Sequence, residues 1–276
     1  MNKLLSAGFA RLWKNTVFWL EIIAMLLFYA LLMTANYQDT QNYDISYSPD
    51  FFFPGSFMII GFFTATFASM FLGTEYSDGT IRNKLVMGHS RTAIYLSSLI
   101  VCFASTVLVC LSSILLTCAM GIPLFGSLAN PLVNTLAVIG TGIFITAAYS
   151  AVFTLIAMLI SNKPVTVIAC IFTCLILYFG SMSISMKLEE PEISPGYTWI
   201  ENGEPVTSLP HPNPDYLRGT KRAVYEFLYD FLPAGQGFQL ARKNAVPKRQ
   251  FPLYSLFITI SVTTGGILVF RRKDLK

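Results

Sequence analysis

Within 75–91, between two apolar runs, acidic and basic side chains gather: Glu75, Asp78, Arg82, Lys84, His89 and Arg91. Such a set suits docking. Ser77 or Asp78 can cap a helix start by accepting its orphan N–H bonds. Thr80 opens a short helix over 80–86, and Gly88 stands where a helix ends in a left-handed residue. Ile81 and Leu85 are four apart and share one face, with Arg82 and Lys84 as basic shoulders. Ser90 can cap the apolar run that follows. A short rigid helix with an apolar ridge is shaped for another protein's groove. A solvated turn would explain the cations but not the glycines, the caps or the apolar pair.

Other chemistries find no support. There is no G-x-x-x-x-G-K-[ST] phosphate loop, so no ATP hydrolysis by the chain alone is expected. The two histidines, His89 and His211, form no H-E-x-x-H. No pair of intramembrane aspartates suits a protease, and no repeated polar filter suits a channel. The five cysteines lie inside apolar runs and read as packing residues, with no disulfide framework and no metal site. Glu21 is the one carboxylate within an apolar run, about a turn from its start. A charge at the bilayer centre costs about 2.5–3.5 kcal/mol on insertion scales, less near the interface. Glu21 either faces the bundle as a pathway or latch residue, or snorkels to the inner interface and pairs with Lys14 or a basic loop residue.

These residues must be positioned by membrane helices. The 276 residues are 54% hydrophobic and only 12% charged, against about 25% charged in soluble domains. Runs long enough to cross a bilayer fall at about 17–35, 55–73, 93–120, 136–160, 165–183 and 252–270. The first is too long for a signal-peptide core and has no small-residue cleavage site, so it reads as a retained span. The fold class is an all-α polytopic membrane protein with six transmembrane helices. Net charge of +4 does not point to nucleic acid, because basic residues here set orientation. Lys3, Arg11 and Lys14 precede the first span, Arg82, Lys84 and Arg91 follow the second, Lys163 follows the fourth, and Arg271, Arg272, Lys273 and Lys276 follow the sixth. The short loops 36–54 and 121–134 contain no Lys or Arg. Both termini are therefore expected in the cytoplasm.

The organisation reads as an amphipathic interfacial helix (1–16, with Leu5, Phe9, Leu12 and Trp13 on one face), spans one and two (17–74), a cytoplasmic helical loop (75–92), spans three to five (93–185), an extracellular insertion (186–250), and the sixth span with its tail (251–276). Within the insertion, Asn202-Gly203 signals a hairpin, with Pro205 confining its second run to an edge. An apolar helix-break-helix over 220–241 either dips back into the bilayer or lies flat on it.

The string EYSDGTIRNKLVMGHSR resembles the loop after the second span in type-2 ATP-binding-cassette permeases of Gram-positive bacteria. FLPAGQGFQLA is similar to that family's external re-entrant segment, and the six-span plan follows it over nearly the full length. The insertion 186–250 is longer than in the simplest members. The resemblance implies a bacterial plasma-membrane permease without cofactors of its own. Two copies of a separate ATPase, binding ATP and magnesium, would work with two permeases, a homodimer being expected. Coupling to the ATPase would fall to Glu75, Asp78, Gly79, Thr80, Ile81, Arg82, Lys84, Leu85, His89 and Arg91, with Arg11 or Lys14 latching Glu75. The subfamily exports bacitracin, lantibiotics and phenol-soluble modulins, which implies an amphipathic or antimicrobial peptide substrate. A sodium or hydrophobic-drug exporter of the same plan, or a non-transporting sensor or immunity protein, stays open.

Overall fold

In hydrocarbon every backbone N–H and C=O must be bonded within the protein, so apolar runs of this length become helices. The computed structural model describes residues 1–43, 45–196, 198–201, 204–207, 209–242 and 246–274. Its elements are α1 (Asn2–Trp13), α2 (Thr16–Tyr43), α3 (Gly55–Ser77), α4 (Thr80–Val86) and α5 (Arg91–Leu116). A π-helical turn, Thr117–Gly121, leads from α5 into α6 (Ile122–Phe125), and α7 (Leu132–Leu159) and α8 (Lys163–Glu189) follow. After the loop strands come α9 (Gly219–Phe231), α10 (Pro233–Leu240) and α11 (Gln250–Arg272).

Among the described residues, six helices are long and apolar enough to cross a membrane. The central pair is α3 and α7, with 61% of each apolar window buried, against 17% in α8, 22% in α11 and 28% in α2. The peripheral helices keep apolar outer faces such as Leu20, Ile23, Leu27 and Leu31 on α2. Close approach at the centre uses small residues, as membrane bundles do. A Cβ on Gly142 of α7 would lie 2.2 Å from the Phe57 ring of α3. Buried hydroxyls bond back to their own helix, as Thr64 does to Ile60 O at 2.8 Å and Thr146 to Gly142 O at 2.8 Å.

Several helices outrun the apolar segments that announce them. Helix α2 runs on to Tyr43 through what reads as loop in the sequence, and Thr34, Asn36 and Thr40 each donate to the carbonyl four residues back. In the long loop, β1 (Ile193–Ser194) pairs antiparallel with β4 (His211–Pro212), and β2 (Thr198–Glu201) with β3 (Glu204–Thr207). The expected Asn202-Gly203 turn lies outside the described residues.

The helix-break-helix resolves into α9 and α10. Pro233 starts α10, whose Pro233, Ala234, Gly235, Gln236, Gly237 and Leu240 are all buried. It is wedged among α3, α7 and α8. Asp230, 6% exposed, anchors this corner by accepting from Lys248 Nζ at 2.7 Å, Gln250 Nε2 at 2.6 Å and Gln239 Nε2 at 3.0 Å. Gln236 continues the link, donating to Asp230 O at 2.9 Å and accepting from Ser255 Oγ at 2.7 Å. A Cβ on Gly237 would sit 2.8 Å from Phe57 O and 3.1 Å from Met58 Cα, both backbone atoms that cannot yield. Gly237→Val should therefore destabilise the protein by about 2 kcal/mol, the overpacking range. Thermal unfolding in detergent would measure it, and an unchanged midpoint would refute the wedge.

Candidate functional site: the α3–α4 end of the bundle

The chain reverses direction between α3 and α4 at Gly79, whose φ of 66° is left-handed and favours glycine. Asp78 N donates to Thr74 O at 2.9 Å, and Gly79 N to Tyr76 O at 3.1 Å, closing α3. At the far end of α4, His89 N donates to Lys84 O at 3.2 Å and Gly88 N to Leu85 O at 2.9 Å, with Gly88 at φ 82°. These two bonds form a Schellman motif and stop the helix after two turns. Ser90 then caps α5 by accepting from Ala93 N at 3.2 Å.

The expected cap at the start of α4 is corrected. Neither Ser77 nor Asp78 bonds an α4 N–H, and Gly79 holds the N-cap position. The Ser77 hydroxyl instead donates to Gly73 O at 3.1 Å, and Asp78 is the C-cap of α3. The apolar ridge is also corrected. Ile81 is 1% exposed, and Leu85 packs against the protein's own core. A helix this short is unstable alone and needs its apolar face buried on the bundle. The face left open carries Arg82, Asn83, Val86 and Met87, with Val86 79% and Met87 69% exposed. Arg82 and Val86 are themselves four apart, so the spacing could have shown this second face.

At the centre stands Glu75, 3% exposed. Its Oε1 lies 2.7 Å from Arg11 Nη1 of α1 and accepts from Lys84 Nζ of α4 at 2.7 Å. Arg11 also donates to Phe71 O at 3.1 Å and lies 4.5 Å over the Phe71 ring. One carboxylate thus ties three helices together. Lys14 is exposed and pairs with no carboxylate among the described residues, so Lys84 is the second cation. Only the reversal at Gly79 brings Lys84 back, which helical spacing does not announce.

Arg91 does not face outward. Its Nη1 donates to Phe270 O at 3.1 Å and to Lys273 O, the favourable end of the α11 dipole. Lys273 Nζ donates to Tyr76 OH at 2.9 Å and Met158 O at 3.1 Å, and Tyr76 OH donates to Met158 O. The ends of α3, α5, α7 and α11 are joined there by contacts up to 197 residues apart in sequence, for which no local signal exists. Asp78 and Arg82 are exposed, and Thr80 and His89 half-buried. Glu21, 6% exposed, does not snorkel to Lys14. It shares the buried stripe Phe18, Met25, Tyr29 and Met33, whose phase turns it into the bundle. Among the described residues no cluster of His, Cys, Asp or Glu is arranged to hold a metal ion.

Two outcomes test this geometry. Removing one partner of a buried pair costs about 3–5 kcal/mol, and Arg11 and Lys84 keep some water. Glu75→Gln should cost about 3 kcal/mol, and a Glu75/Lys84 double-mutant cycle in thermal unfolding should show coupling between them. Burial pushes the Lys273 ammonium down to about 8 from its ordinary 10.5. The unfolded chain then binds the proton more tightly, so stability tied to Lys273 falls as pH drops through about 8 and is restored toward 10.5. The unfolding temperature of the native protein should rise relative to Lys273→Met across that window.

The model of the ABC-2 family of transporter proteins matches residues 4–181, well over half of the chain. No curated protein matches it. The matched stretch takes in the Glu75 node, α4 and both central helices. The chain therefore belongs to the ABC-2 transporter family, as a multi-pass membrane subunit whose partner is an ATP-binding-cassette ATPase.

Proposed function

We propose that this permease is driven through α4 and exports amphipathic or antimicrobial peptides. The observation that carries the coupling half is the open face of Arg82, Asn83, Val86 and Met87 on a helix whose other side is locked to α3 and α5. Two large apolar side chains exposed beside a cation, at a bundle end rich in basic residues, suit a protein groove. Glu75 then acts as the latch. A push on α4 moves Lys84, and through the shared carboxylate it moves α1 and α3 together.

In this reading the α4 end and both termini lie in the cytoplasm, supported by Lys and Arg in the short loops at that end. Two ATPase copies, carrying ATP and magnesium, engage α4 of two permeases, most simply a homodimer. The peptide cargo rests on the likeness of 75–91 and of FLPAGQGFQLA to Gram-positive peptide-exporter permeases.

Val86→Asp with Met87→Asp should leave the permease folded, because both side chains are exposed. It should lower co-purification of the ATPase by at least about tenfold, since buried interface anchors are worth more than 1 kcal/mol each. Full co-purification and native transport would overturn the coupling surface. In a cysteine-free background, Ser77→Cys should resist an impermeant thiol reagent in intact cells, whereas His211→Cys should react. The reverse pattern would invert the orientation. Stimulation of ATP hydrolysis by a basic amphipathic peptide, but not by sodium ion, would support the cargo.

A further inference from the structure

Helix α1 rests on the bundle by one arc. Leu4 and Leu12 are buried there, Arg11 turns to Glu75, and a Cβ on Gly8 would lie 2.7 Å from Val101 Cγ2 of α5. Of the apolar face read in the sequence, Leu12 is thus buried, whereas Leu5 and Phe9 are half-buried and Trp13 is exposed. These three recur every fourth residue and form an open apolar flank. Beyond the flank lie the exposed Lys3 and Lys14, eleven apart and so about three turns along one line of the helix. Ser6, Ala7 and Ala10 between them are short and exposed. Neither lysine pairs with a carboxylate among the described residues, and 1–20 hold no acidic residue.

The elbow from α1 into α2 shows what covers this flank. Asn15 Oδ1 caps α2 by accepting from Phe18 N at 3.1 Å, and Trp19 Nε1 donates to Trp13 O at 2.9 Å. The two indole rings lie 5.9 Å apart, and both are exposed. From Trp19 the exposed apolar row of α2 begins: Leu20, Ile23, Leu27 and Leu31. Tryptophan at the edge of such a row marks the headgroup level of a bilayer. The flank of α1 is therefore continuous with a lipid-facing surface, and its two cations stand beside that level with no anion of the protein to neutralise them.

We infer that this flank of α1 binds anionic phospholipid, with acyl chains along Leu5, Phe9 and Trp13 and phosphate oxygens accepting from Lys3 and Lys14. A lysine at an anionic surface strengthens attachment about fivefold. The site also bears on the latch. Arg11 leaves the buried arc of the same helix to reach Glu75, so lipid that seats α1 seats one of the two cations there. That second statement rests on the coupling reading.

The test uses the full permease in lipid nanodiscs, with Trp199→Phe so that Trp13 and Trp19 remain of the three tryptophans. Phosphatidylcholine discs receive either brominated phosphatidylglycerol or brominated phosphatidylcholine, whose bromines quench nearby indoles. Half-quenching should need about fivefold less of the anionic lipid. Lys3→Gln with Lys14→Gln changes exposed side chains only, and should make the two lipids equal. Equal quenching in the parent chain, or a preference unchanged in the double variant, would overturn the inference. Absence of quenching by either lipid would also do so, giving the flank to protein. Quenching does not involve α4, so this result is independent of coupling. With the ATPase added, phosphatidylglycerol should raise ATP hydrolysis by the native complex and not by the double variant. A lipid preference with hydrolysis indifferent to lipid keeps the site and removes its bearing on the latch.

Discussion

A single carboxylate oxygen shared by two cations sets the geometry of the α3–α4 end. Glu75 is nearly fully buried, and a buried anion without partners would be too costly to keep. Arg11 can reach it only if α1 lies across the end of α3, and Lys84 only if α4 folds back beneath α3. The requirement to neutralise one charge thus adds to the hold on α1, whose Leu4 and Leu12 are already buried against the bundle, and is a main hold on α4. Helix α4 is two turns long, and its remaining hold on the bundle is the buried Ile81 and the packed Leu85.

The opposite end repeats this economy with different chemistry. Asp50 holds two loops together through backbone amides and a threonine, and Asp230 gathers Lys248, Gln250 and Gln239 around the break between α9 and α10. Between the two ends the bundle has almost no charge to work with. It relies on glycine contacts, such as Gly142 against Phe57, and on hydroxyls that return to their own helices. Adhesion in the middle comes from fit, and specificity at the ends comes from a few carboxylates. Motion imposed at α4 would reach the centre through α3, which bears Glu75 at one end and meets α10 at the other.

Composition and length alone determined the six spans, because the bilayer leaves a chain of this hydropathy no other way to satisfy its backbone. Local rules also determined α4 over Thr80–Val86 and the glycine that ends it, since a Schellman stop depends on neighbours in sequence. Tertiary structure alone decided which way α4 faces. Ile81–Leu85 and Arg82–Val86 share the i, i+4 spacing; the first is the all-apolar pair, and only the position of the core decided that it packs on the bundle and is not left open to a partner. It decided that Lys84 rather than Lys14 completes the Glu75 node, because the left-handed turn at Gly79 brings α4 back to α3. It also turned Arg91 inward to the end of α11 and joined Lys273 to Tyr76. These contacts span most of the chain, and their energy depends on distances in space that no spacing in sequence encodes.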